Sequence, residues 1–160
     1  IFIDGGAGGV GAVTVQLAVA RGLRVVASAG PDNQDYLREI GATPVLYGDG
    51  VADRVRAAAN ATIAGVVDVA GKTPIDVLIG LVQQAREVVT IANFGAGESG
   101  VQITGGGADA HPFDALAEAA SLLEQGKLVI KVQTFPMDRA ADAFAASQAG
   151  HVRGKLVLLP

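Results

Sequence analysis

The apolar residues of this 160-residue chain gather in continuous runs instead of alternating with polar ones. IFI at residues 1–3, RVVASA at 24–29, PVLY at 44–47, GVVDVAG at 65–71 and EVVTIANF at 87–94 all have this character. A strand with one wet face alternates, whereas a strand that is apolar throughout is buried on both faces, as in a parallel sheet covered by helices on each side. Helical spacing fills the gaps between runs: Val10, Val13 and Leu17; Tyr36, Leu37 and Ile40; Val51, Val55 and Ala59; Val77, Leu78 and Leu81. Thr73, Pro74 and Asp76 resemble a capped helix start. Residues 112–125 form a further helix, and Asp138 is expected to cap a last one that Gly150 stops. KLVIKVQTF at 127–135 is expected as the sixth strand and the sheet edge, and GKLVLLP at 154–160 as a final strand. Strands alternating with helices at this spacing predict an α/β fold, a doubly wound parallel sheet in three α/β/α layers.

The sharpest local signal is DGGAGGVGAVTVQLA at residues 4–18. Gly6, Gly8 and Gly11 fit G-x-G-x-x-G, directly after a strand and directly before a helix, the context in which that spacing acquires meaning. Gly6 allows a tight turn, Gly8 lets a pyrophosphate approach the backbone, and Gly11 lets helix and strand pack closely. The first N–H groups of the helix have no partners inside it, and the helix dipole adds partial positive charge. A dinucleotide diphosphate is the expected occupant of this Rossmann turn. A site for NAD places Asp or Glu near the end of the second strand to hold the adenosine ribose. Here Ala27, Ser28 and Ala29 stand in that region. The missing carboxylate favours NADP (NADPH), with NAD possible, and Ser28 is a candidate donor to a 2′-phosphate. Against this, the following loop is Pro31-Asp32-Asn33-Gln34, and Asp32 opposes a 2′-phosphate if it points there.

Composition narrows the function classes. Half the residues are hydrophobic but only 4% are aromatic, so the core is expected to rest on Val, Ile, Leu and Ala. A net charge of −4 and no basic face argue against a nucleic-acid or membrane partner; a small-molecule substrate is expected instead. Cysteine is absent, which leaves no thiolate metal site and fits a cytoplasmic protein. Ile1 resembles the middle of a strand, so the chain is expected to be a piece of a longer protein.

GGAGGVGAVTVQLA, GLRVVASAG and REIGATPVLYGD together resemble the medium-chain dehydrogenase/reductase superfamily, in its zinc-independent, quinone-oxidoreductase-like branch. Ala7-Gly8-Gly9-Val10-Gly11 matches the glycine phrase of that branch, and VVDVAG, NFGAG, LLEQGKL and AGHVRGKLVL agree further along. The resemblance implies a cofactor domain over residues 1–133 and a helix–strand segment over 134–160 that returns to a GroES-like catalytic domain absent here. It implies cofactor contacts from Gly6, Ala7, Gly8, Gly9, Val10 and Gly11. Val69, Ala70 and Gly71 would line the cleft edge, and Asn93, Phe94 and Gly95 would lie beside the nicotinamide. Tyr47 matches a tyrosine at the 2′-phosphate. Relatives often carry a lysine after the second strand, which this chain lacks. The implied activity is hydride transfer between NADPH and a quinone, enone or carbonyl, with no catalytic or metal-binding residue in this piece. A zinc-dependent alcohol dehydrogenase and a non-catalytic nucleotide-binding protein are the alternatives.

His111 and His151 are expected in solvent-exposed turns. Asp68 either orients a cofactor or plays a structural part, and Asp4 is expected to satisfy amides of the glycine loop. The glycines at 105–107 form a loop. Val101, Ile103 and the apolar run at 128–132 provide material for a homodimer by edge pairing, or for an edge covered by the chain's own tail.

Overall fold

The computed structural model describes residues 1–105, 112–150 and 152–160. His111, His151 and two of the three glycines at 105–107 lie outside the described residues. Six strands form one parallel sheet in the order β3-β2-β1-β4-β5-β6. They are β1 (Phe2–Asp4), β2 (Val26–Ala29), β3 (Thr43–Leu46), β4 (Val66–Asp68), β5 (Val88–Thr90) and β6 (Gln102–Ile103). The intervening helices are α1 (Gly11–Ala20), α2 (Gln34–Glu39), α3 (Val51–Ala59) and α4 (Ile75–Ile79). This is the expected doubly wound order, reversing direction between β1 and β4, where a crevice opens beyond the carboxyl ends of the strands.

The central strands carry apolar residues on both faces because the sheet separates two cores. Phe2, Val26, Val66 and Val88 face one side and pack with Val55 and Leu78. Ile3 and Ala27 face the other and pack with Ala12, Val15, Tyr36 and Leu37. Burying a side chain the size of Val, Leu or Phe contributes about 1.5–3 kcal/mol. Exposed ion pairs such as Arg38–Asp35 contribute about 0–1 kcal/mol each, so the two apolar layers decide stability.

The expected sixth strand is corrected. The sheet edge is β6, pairing Gln102 with Val89 and Ile103 with Thr90. Residues 127–131 follow helix α5 (Pro112–Glu124) and lie outside any strand. Leu128 is buried, as its place in an apolar run suggests, but the segment crosses α1 instead of joining the sheet. Gln16, a buried amide on α1, accepts a 2.7 Å hydrogen bond from Val129 N–H and donates one of 3.0 Å to the Val129 carbonyl. The chain then forms β7 (Val132–Pro136), α6 (Ala140–Ala149) and β8 (Lys155–Leu159), with β7 and β8 paired in a separate two-stranded parallel sheet. Residues 133 and 134 both lie within β7. Two caps also differ. α4 begins at Ile75 with Pro74, not Thr73, at its cap position, and a 3₁₀ turn from Met137 to Arg139 precedes α6, so Asp138 does not cap it.

Candidate functional site

The glycine loop leaves β1 at the reversal point, and each of its key glycines has a separate steric reason. A Cβ on Gly6 would lie 2.7 Å from the Ala27 Cβ, and one on Gly11 only 2.1 Å from the Gly5 carbonyl oxygen. Those two positions let strand, loop and helix touch. Gly8 differs: a Cβ there would meet nothing nearer than the Gly5 oxygen at 3.7 Å, so this glycine opens space. The first turn of α1 carries no acidic residue.

Four side chains brace this loop and the two beside it from below. Ser28, Asp4, Asp68 and Thr90 stand at successive register positions across β2, β1, β4 and β5, and all are buried. The Ser28 hydroxyl accepts from Gly5 N–H at 2.9 Å and donates to Asp4 Oδ1. Ser28 thus has no exposed surface and no spare proton; the expectation that it donates to a 2′-phosphate is corrected, because its hydroxyl is spent holding the glycine loop. Asp4 reaches that loop only through Ser28, and its Oδ2 is buried with no partner among the described residues. Asp68 accepts from Ala70 and Gly71 N–H at 3.0 and 2.8 Å, and from the Thr90 hydroxyl at 2.8 Å. Thr90 in turn accepts from Ala92 and Asn93 N–H at 3.1 and 2.9 Å. Asp68 therefore fixes the loops after β4 and β5 and does not face the crevice.

Above this row lies a cavity of about 540 Å³. One wall is Gly5, Gly8, Gly9, Val10 and Gly11 with Val69; the opposite wall is Ala143, Phe144 and Ser147 of α6 with Lys155, Leu156 and Leu158 of β8. Of the residues expected at a cofactor site, the cavity brings together Gly8, Gly9, Val10, Gly11 and Val69. Gly6 and Ala7 are buried beneath it. Ala70, Gly71, Asn93, Phe94 and Gly95 stand on the adjoining loops outside its lining, and Phe94 is 68% exposed. Tyr47 is half exposed just past β3, in a turn clamped by Arg54, which donates to the carbonyls of Leu46, Tyr47 and Asp49.

The tail supplies what the sequence did not suggest. Gly154 pairs with Gly8 as an isolated parallel bridge and donates to the Ala7 carbonyl. The Lys155 side chain lies directly on the loop, with Cε and Nζ both 2.7 Å from where a Cβ on Gly9 would sit. The basic pair flanking a glycine, Arg153-Gly154-Lys155, was the available signal. Nearby, the Tyr36 ring lies under Lys131 Nζ at 4.7 Å and the Arg153 guanidinium at 5.9 Å. Burial pushes the Tyr36 phenol up, Lys131 and Arg153 oppose that, and Glu39 adds to it.

A loop that opens at Gly8, a helix start free of acids and an ammonium laid across the backbone suit a diphosphate. Residues 40–158 match the zinc-binding dehydrogenase family. The chain belongs to that family. Within the medium-chain dehydrogenase/reductase superfamily, it falls in the quinone-oxidoreductase-like branch. It is 32% identical over 100 residues to YhfP of Bacillus subtilis, a quinone oxidoreductase by name, a match covering 61% of this chain and 30% of that protein. It is 30% identical over 106 residues to the acrylyl-CoA reductase AcuI of Ruegeria pomeroyi, covering 65% of this chain and 32% of the reductase. The quinone oxidoreductase from Coxiella burnetii superposes with a TM-score of 0.77 at 26% identity, over 98% of this chain and 51% of that one. The family name implies zinc. This chain has no cysteine, and no three His, Cys, Asp or Glu residues gather as a metal site among the described residues, so the residues present do not fit the metal.

Proposed function

We propose that this chain is the NADP(H)-binding part of an oxidoreductase that moves hydride between the nicotinamide and a quinone, enone or carbonyl substrate. The observation that carries this is the glycine loop at the sheet reversal, opening at Gly8 onto a cavity of about 540 Å³ with Lys155 laid along it. The backbone of residues 8–11 would hold the diphosphate, and the Lys155 ammonium would offset its charge. The loop after β4, fixed by Asp68, and the loop after β5, fixed by Thr90, would shape the crevice toward the nicotinamide. The bound nucleotide supplies the hydride; these residues place it and limit water around it. NADPH is favoured over NADH because no carboxylate stands at the end of β2.

The substrate would bind between this unit and a catalytic domain outside the chain, on which residues 134–160 would pack. The chain covers about half the length of the Coxiella enzyme, which leaves room for such a domain. A homodimer through the open β6 edge, where Ile103 is 39% exposed, is the assembly we propose.

Gly8→Asp tests the site. The space around Gly8 accommodates a side chain, so the variant should fold, while its carboxylate would stand where phosphate should lie. Calorimetry should show NADPH binding weakened at least tenfold with the melting temperature nearly unchanged. Unaltered NADPH affinity would remove the glycine loop as the site.

A further inference from the structure

We propose that Arg153, brought in by the carboxyl-terminal segment, is the residue that recognises the 2′-phosphate of NADPH. This rests on the dinucleotide reading above and assigns its specificity to a residue far in sequence from the loop after β2.

The chain offers no cation of its own in that loop, which runs Pro31-Asp32-Asn33-Gln34. Ser28 is buried and spent on Asp4 and Gly5. Arg153 fills the gap from outside. Its Nε donates to Asn33 Oδ1 at 2.6 Å, and its Nη2 donates to the Asp32 carbonyl. Its guanidinium lies 5.9 Å from the centre of the Tyr36 ring, within cation–π range. Asn33 is itself buried, so this acceptor is rigid. Three contacts thus fix an exposed arginine a few residues beyond the end of β2, where the adenosine ribose of a bound dinucleotide lies.

The next residue in the chain ties Arg153 to the other end of the same ligand. Gly154 pairs with Gly8 and donates to Ala7 inside the glycine loop. Arg153 therefore sits between the diphosphate cradle and the ribose end. Its Nη1 makes no hydrogen bond among the described residues, and no carboxylate among them forms an ion pair with it, so its charge is not spent on a neighbour. A guanidinium with one edge anchored and the other open is the donor geometry that phosphate recognition uses. Lys131, the other cation over Tyr36, is already paired with Glu39 at 2.9 Å and is the weaker candidate.

The test compares NADPH and NADH binding by calorimetry to the 160-residue chain and to Arg153→Gln, which can still donate to Asn33. The parent should prefer NADPH. Arg153→Gln should lose about tenfold to a hundredfold in NADPH affinity, the range expected for one hydrogen bond to a charged group, and keep NADH affinity within about twofold. Arg153→Lys should regain part of the NADPH affinity. Equal loss for both nucleotides would overturn the proposal, leaving Arg153 as a strut for the tail. A parent that binds both nucleotides equally would overturn it too, while leaving the dinucleotide site intact; a parent that binds neither would remove that site as well. If Arg153→Gln does not fold, phenylglyoxal modification of the parent answers the question. Adenosine 2′,5′-bisphosphate should shield Arg153 and adenosine 5′-diphosphate should not, and equal labelling with the two would overturn the assignment.

Discussion

At the residue scale, the three glycines of one motif do different work. Gly8 leaves room, whereas Gly11 has none: a methyl group there would overlap the Gly5 carbonyl oxygen at 2.1 Å. Gly11→Ala should therefore destabilise the fold by about 1–3 kcal/mol, the usual cost of overpacking, and urea unfolding should show it. Ser28→Ala should also destabilise, by about 1–3 kcal/mol, because the Asp4 carboxylate would lose its only hydrogen bond among the described residues and the Gly5 N–H its acceptor. If Ser28 acts only as a brace, that variant should keep the parent's ratio of NADPH to NADH affinities; a collapsed ratio would return it to the nucleotide site. The motif glycines were legible because sterics dictate them. The commitment of Ser28 was not, since an exposed strand-end serine and one bonded to a carboxylate on the next strand have the same sequence.

At the element scale, β1 to β5 and helices α1 to α3 were legible because apolar runs and helical spacing record burial on both faces. β6 was not: it is only Gln102–Ile103, set in a glycine-rich loop, and it exists because β5 has an open edge to pair with. The apolar run at 128–132 carried the opposite error. It signals burial, and Leu128 is buried, but periodicity cannot say against what. Gln16 decides that, its amide serving the Val129 backbone as a neighbouring strand would. Gln16→Leu should free both Val129 groups while keeping the helix, and the Val129 amide should then exchange with solvent at least tenfold faster. Unchanged exchange would mean that Leu128 packing alone holds the crossing.

At the scale of the whole molecule, one wall of the cavity belongs to the sheet domain and the other to a helix and strand from the far end of the chain. That second wall is thinly packed. Phe144 is 68% exposed, and Leu159, on the small sheet, is 48% exposed. With its substrate side open, this chain should bind NADPH yet oxidise it with small quinones far more slowly than whole enzymes do, since positioning of the reactants alone is worth about 7–11 kcal/mol. Steady-state NADPH consumption at a rate typical of complete reductases would place the substrate site within these 160 residues. The legibility of the site follows the same division. The glycine loop is local and announced itself, whereas Arg153 and Lys155 act more than 100 residues away from the loops they touch, a separation that only the folded topology closes.

Gly154 carries a consequence for how the chain behaves without ligand. Its φ is +66°, and a Cβ there would lie 2.1 Å from the Lys131 carbonyl oxygen, so the tail passes through a gap that only glycine fits, between Lys131 on one side and Ala7 and Gly8 on the other. That last strand forms part of the cavity's second wall, and it holds its place partly through the same backbone that would receive the ligand. If the proposed nucleotide binds there, its occupancy and the docking of the carboxyl terminus would form one linked equilibrium, in which each gains from the other by mass action. The end of the chain would then report what occupies its beginning.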